Sequence, residues 1–177
     1  MHKYEQLHEH GDHLNSATLL KISKEYPLMR FGVPSHLVQI VLDIGVDARK
    51  IDNISLFYSA EVYNYGLFQI APIKLYHDVP NFGYRIFKDG LKVIHCTDTA
   101  HLDGIEAKGY DLYAIEGNYC ENKVKQIIKE KQEKGEVAYQ IGSINSHLSI
   151  QQAQEFYIKN KKESSQIVFL HQSENSL

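Results

Sequence analysis

The run His8-Glu9-His10-Gly11-Asp12-His13 constrains this chain more than any other stretch. Imidazole and carboxylate groups are the ligands of zinc and similar cations. His8 and His10 lie two apart, so in an extended strand both rings point to the same side. Gly11 permits a sharp turn, after which Asp12 and His13 face a second point. One short segment is thereby able to feed two adjacent metal ions. A His-x-His pair alone is a common accident in a chain with 10 histidines. The full His-x-His-x-Asp-His pattern is specific enough to predict a site.

The length of 177 residues predicts a single domain, 1–177, with a substantial core. A formal net charge of −3 offers no overall basic field for a long nucleic acid, which favours a small or short substrate. Two cysteines, Cys96 and Cys120, make no disulfide framework and fit a reducing, cytoplasmic compartment. No apolar run reaches spanning length and no signal peptide precedes the first motif, so no membrane partner is expected.

The pattern of elements reads as mixed α and β. Lys3 to His8 is a short strand that delivers the metal motif. Asn15-Ser16 caps a helix over Ala17 to Glu25, which Pro27 ends. A second helix starts at Ser35, with Leu37, Val38, Ile40, Val41 and Ile44 on its apolar face, and stops near Gly45. Branched and aromatic residues then mark strands at Ile54–Tyr58, Glu61–Tyr65 and Leu67–Tyr76. Asp89-Gly90 joins Phe82–Lys88 to Leu91–Cys96 as a two-residue hairpin. Leu112–Glu116 is another strand, Asn122 to Lys134 a helix with a solvated charged face, Ile150 to Asn160 a helix capped by Ser149, and Ile167–Leu170 a last strand. The strands are expected to be mainly antiparallel.

Two metals need more ligands than the first run holds, and strand ends supply them. His77 closes the strand ending at Tyr76, Asp98 follows the strand ending at Cys96, and His171 follows the strand ending at Leu170. In its order along the chain, the series His8, His10, Asp12, His13, His77, Asp98, His171 resembles the ligands of the metallo-β-lactamase superfamily. Val93-Ile94-His95-Cys96-Thr97-Asp98-Thr99 is similar to its hydrophobic strand ending in a bridging aspartate. Leu112-Tyr113-Ala114-Ile115-Glu116-Gly117-Asn118-Tyr119 resembles the following strand in the phosphodiesterase branch around ribonuclease Z. Ser146-His147-Leu148-Ser149 resembles that branch's histidine just before a capped helix.

The resemblance implies an α+β fold, the four-layer αββα sandwich, with metals at the rim between two sheets. It implies one metal on His8, His10 and His77, a second on Asp12, His13 and His171, and Asp98 bridging them. Two Zn2+ are the default, with Mn2+ as the alternative. Asp12, His147 and Glu116 form the implied catalytic set: His147 acts on the transition state or leaving oxygen, and Glu116 orients it. His95 and His101 match no ligand position. Only seven residues precede His8, where the family carries several strands, so the fold is expected to be N-terminally truncated. An uncovered strand edge tends to pair, which predicts a homodimer or a partner chain completing the sheet. The function implied is a binuclear metal-dependent phosphodiesterase acting on a nucleotide or nucleic acid. The alternatives are a thioester or lactam hydrolase of the same fold, or an inactive or partner-completed family member.

Overall fold

The computed structural model describes residues 15–26, 31–46 and 54–173. The run from His8 to His13 and the strand expected to precede it lie outside the described residues. The chain divides into two compact units, Met1–Tyr58 and Ser59–Leu177.

In the first unit, helix α1 (Ser16–Glu25) begins where Asn15 accepts the Thr18 N–H on its side chain at 2.8 Å. This satisfies one of the amide donors that every helix start leaves open. Strand β1 (Phe31–Pro34) runs through a 3₁₀ turn, Ser35–Leu37, into helix α2 (Val38–Asp43). Strand β2 (Ile54–Phe57) pairs with β1 in parallel, Phe31 opposite Ile54. Val33, Val41 and Val46 are buried together, with Leu19, Phe31, Leu37 and Val38 packed around them.

The second unit is built on one six-stranded sheet in sequential order: β3 (Tyr63–Asn64), β4 (Gln69–Leu75), β5 (Asn81–Lys88), β6 (Leu91–Cys96), β7 (Leu112–Glu116) and β8 (Gln166–Leu170). Asp89 and Gly90 both take positive φ, 51° and 81°, as the β5–β6 hairpin turn requires. Helices α3 (Glu121–Glu133), α4 (Gln140–Ser146) and α5 (Ile150–Asn160) follow β7 and lead to β8. Ile94, Cys96, Tyr113 and Ile115 alternate along β6 and β7 and meet Leu148 and Ala153 in the core. Tyr113 is fully buried, and its hydroxyl donates to the Ala107 carbonyl at 2.6 Å. Burial pushes the Cys96 thiol up to about 12, against a smaller downward pull from Arg85, so Cys96 is an inert core residue.

The expectation of mainly antiparallel strands is corrected. Of the six described pairings, three are antiparallel and three, β1–β2, β6–β7 and β7–β8, are parallel. Parallel neighbours need a long return path. Residues 97–111 supply it between β6 and β7, and the three helices supply it between β7 and β8. The sequence pattern does not mark helix α4 or strand β1. α4 is short and carries Gly142, Ser143, Asn145 and Ser146, residues of low helix propensity. Among the described residues no helix is long and apolar enough to cross a membrane.

At Gly83 β5 lies close against β6: an added Cβ would be 2.7 Å from the His95 carbonyl oxygen and 3.2 Å from Cys96 Sγ. Gly83→Ala is therefore expected to lower stability by about 1–3 kcal/mol. In α4, an added Cβ on Gly142 meets nothing within 4 Å. Gly142→Ala should leave stability unchanged or raise it by up to about 1 kcal/mol. Urea denaturation measures both, and equal midpoints for the two variants would contradict this packing.

Candidate metal centre

Four chain segments converge at one end of the six-stranded sheet. β7 ends on Glu116, whose side chain is fully buried. The chain beyond it runs alongside the start of α5: Asn118 N–H donates to the Leu148 carbonyl and Ile150 N–H to the Tyr119 carbonyl, both at 2.9 Å. His147 lies between two helices, its N–H held by the Ser143 carbonyl at the end of α4. Two residues on, Ser149 and Gln152 form a capping box that starts α5, with bonds of 3.0 and 2.8 Å. His147 is thus fixed from both sides along the chain. Asp98 and His171 each follow the end of a strand, β6 and β8, and each takes a left-handed backbone, φ 54° and 50°. Such conformations are uncommon outside glycine and cost about 1–3 kcal/mol.

Glu116 joins these segments. Its Oε1 lies 2.6 Å from His147 Nδ1 and 2.9 Å from His171 Nδ1. Its Oε2 accepts the backbone N–H of Thr99 at 3.0 Å and of Leu148 at 3.3 Å. Burial pushes its carboxyl pKa up, but the bonds from His147, His171 and Thr99 outweigh burial and bring it down to about 2. Glu116 is therefore a carboxylate. Because it can only accept, both rings donate through Nδ1, and each neutral ring carries its lone pair on Nε2. Asp98 is next to both, its Oδ1 3.1 Å from His171 Nδ1 and 3.7 Å from His147 Nδ1.

His77 adds a third ring, with its centroid 5.0 Å from that of His147; His171 stands 5.1 Å from His147 on the same measure. His77 Nδ1 donates to the Ser146 carbonyl at 2.9 Å, again leaving the lone pair of a neutral ring on Nε2. That nitrogen is 3.0 Å from Asp78 Oδ1. His101 stacks on Tyr76 with centroids 4.0 Å apart, and His95 tilts against Tyr84.

The donor chemistry fits a divalent cation of the zinc type. Asp98, Glu116, His147 and His171 bring ligand atoms within 4.8 Å of one another. Histidines that bind metals characteristically donate their other ring N–H to a carboxylate or carbonyl, as His77 and His171 do here. Of the residues singled out in the sequence, the structure gathers His77, Asp98, Glu116, His147 and His171. His8, His10, Asp12 and His13 lie outside the described residues. Sequence reasoning passed over Thr99, whose amide holds Glu116, and the asparagines Asn81 and Asn118. Asn81 Nδ2 donates to the Thr97 and Asp98 carbonyls, both at 2.8 Å, and Asn118 Nδ2 to the His171 carbonyl at 2.9 Å. An asparagine beside a strand end was the only sign available.

The fold is that of the metallo-β-lactamase proteins. The chain is similar in structure to the metallo-β-lactamase fold protein YhfI from Bacillus subtilis, with a TM-score of 0.64 and 16% identity over 92% of this chain and 61% of that one. It is similar to human tRNase Z, short form, with a TM-score of 0.60 and 16% identity over 93% of this chain and 70% of that one. Zn2+-bound PqqB from Methylobacterium extorquens matches with a TM-score of 0.57 and 13% identity, over 90% of this chain and 59% of that one. The chain thus spans about three fifths of the length of YhfI and PqqB. No protein-family model and no curated protein matches the sequence.

Ionised Glu116 gives the site a pH signature. With its pKa drawn down from 4.5 to about 2, the folded state holds fewer protons there than the unfolded state. The stabilisation is fully present above about 4.5 and lost as pH falls towards 2. Acid titration of the metal-free protein should show this loss, and Glu116→Gln should flatten that part of the curve. An unchanged acid limb in Glu116→Gln would contradict the assigned charge.

Proposed function

We propose that the chain is a binuclear metal-dependent hydrolase, most specifically a phosphodiesterase acting on a nucleotide or nucleic-acid phosphodiester. The observation that carries this reading is the pairing of His147 with buried, ionised Glu116 beside Asp98 and His171. The fold shared with human tRNase Z supports it, as does the order of the ligand series along the chain. The net charge of −3 favours a short substrate over a long polymer.

In this proposal His8, His10 and His77 would hold one metal and Asp12, His13 and His171 the other, with Asp98 available to both. Zinc suits the imidazole-rich set, with manganese as the alternative. Divalent cations at such a site lower the pKa of water towards neutrality and stabilise charge on phosphoryl oxygens. The remaining chemistry belongs to the side chains. His147, its Nδ1–H held by Glu116, presents Nε2 as the atom that carries or delivers a proton to a leaving oxygen. Glu116 stabilises the imidazolium form of that ring and fixes its tautomer. The amides of Thr99 and Leu148 hold the other carboxylate oxygen and so set the angle of the pair. Asp12 completes the catalytic set.

With Zn2+ or Mn2+ added, the protein is expected to hydrolyse a generic phosphodiester reporter. His147→Ala should lower kcat by roughly 10²–10⁴-fold while retaining metal, and Asp98→Ala should abolish turnover together with metal retention. Ester and lactam reporters assayed in parallel decide between the phosphodiesterase and the thioester or lactam alternatives. Ester turnover without phosphodiester turnover, or phosphodiester cleavage surviving both substitutions, would overturn the proposal.

A further inference from the structure

Asp98 and His171 share an unusual local problem. Each sits just past a strand end with a left-handed backbone, which turns its carbonyl away from the ladder and leaves that oxygen in need of a donor. In both cases an asparagine side chain supplies it. Asn81 Nδ2 reaches the carbonyls of Thr97 and Asp98, while its own Oδ1 accepts the Phe82 N–H at 2.8 Å. Asn118 Nδ2 reaches the carbonyl of His171. The backbone of Asn118, a buried residue, also binds Leu148 through its N–H and Ser173 through its carbonyl, both at 2.9 Å. Of the four described non-glycine residues with positive φ, Ala60, Asp89, Asp98 and His171, these two belong to the site and have their carbonyls in an asparagine's grip.

We infer that Asn81 and Asn118 are positioning residues of the metal centre, holding Asp98 and His171 in the left-handed conformation that aims their side chains at each other. The inference rests on the metal-centre reading above. The physical reason is local. A left-handed aspartate or histidine is costlier than a right-handed or extended one by about 1–3 kcal/mol, so without a fixed donor its backbone relaxes. Rotating φ at a residue swings its Cβ, and the carboxylate or ring moves with it. Asparagine suits the task because its short side chain carries two N–H donors and an acceptor on one planar group. Asn118 has a second effect: its backbone fastens the turn that carries His147 to the turn that carries His171. This backbone tether between the two turns adds to the link that Glu116 makes between the two rings.

The test compares metal binding with stability in the full chain. Asn81→Ala and Asn118→Ala are each expected to weaken Zn2+ retention, measured by chelator competition, about 10-fold or more. Each should also shift the visible spectrum of the Co2+-loaded protein, because the ligand geometry changes. In the metal-free protein, NMR should show the backbone resonances of Asp98 moving in Asn81→Ala and those of His171 moving in Asn118→Ala. Tyr113→Phe removes a buried hydroxyl bond in the core without touching the site, and sets the effect of stability loss alone. Should an alanine variant fail to fold, the leucine variant, which is close to asparagine in size and has no donor, is judged by the same criterion. Affinity within twofold of the unaltered protein would overturn the inference, as would an equal loss in Tyr113→Phe. Absence of metal uptake by the unaltered protein would overturn the metal-centre reading and this inference with it.

Discussion

One buried carboxylate organises the site. Glu116 has no exposed surface, yet it is ionised because four donors converge on its two oxygens: two imidazoles on one, two amides on the other. A buried charge without partners would be neutralised or would unfold its surroundings. Here the donors come from Thr99 after β6, from the His147–Leu148 turn and from His171 after β8. Satisfying Glu116 therefore requires all three segments to meet at the end of β7. The same contacts dictate which nitrogen of each ring holds the proton. Fold, protonation state and ring orientation are set by a single group.

The surrounding scaffold makes that convergence affordable. Parallel pairing of β6, β7 and β8 brings their C-terminal ends to the same side, so Asp98, Glu116 and His171 come out together. The register places Cys96, two residues before Asp98, opposite Ile115, and Leu170, one residue before His171, opposite Glu116. Helices α4 and α5 then bring His147 and the Ser146 carbonyl to the same place, and the latter orients His77. The left-handed turns at Asp98 and His171 are the strained elements of this arrangement, and the strain coincides with the site rather than with the core.

Much of this was legible from residues alone, and the exceptions are instructive. The Asp89-Gly90 hairpin and the Asn15 and Ser149 caps are local, encoded by two to four neighbouring residues whose hydrogen bonds close on themselves. Asp98, His171 and His77 stood out as polar residues at strand ends, and Glu116 and His147 through a motif resemblance. The strand directions were missed because a pleat pattern reads alike in parallel and antiparallel neighbours; only the return path distinguishes them. Helix α4 was missed because tertiary contacts override the weak propensity of Gly142, Ser143 and Asn145. The grip of Asn81 on Asp98 spans 17 residues and that of Asn118 on His171 spans 53. Nothing in a single sequence marks such pairs.

The account turns on the claim that Glu116 and the Ser146 carbonyl fix the tautomers of three histidines. Nitrogen-15 NMR of the histidine rings in the metal-free protein tests this directly. At a pH where the rings are neutral, His77, His147 and His171 should each show a protonated Nδ1 and an unprotonated Nε2. A proton on Nε2 of His147 or His171 in the neutral ring would mean that Glu116 does not hold them, and the site would have to be rebuilt around another group.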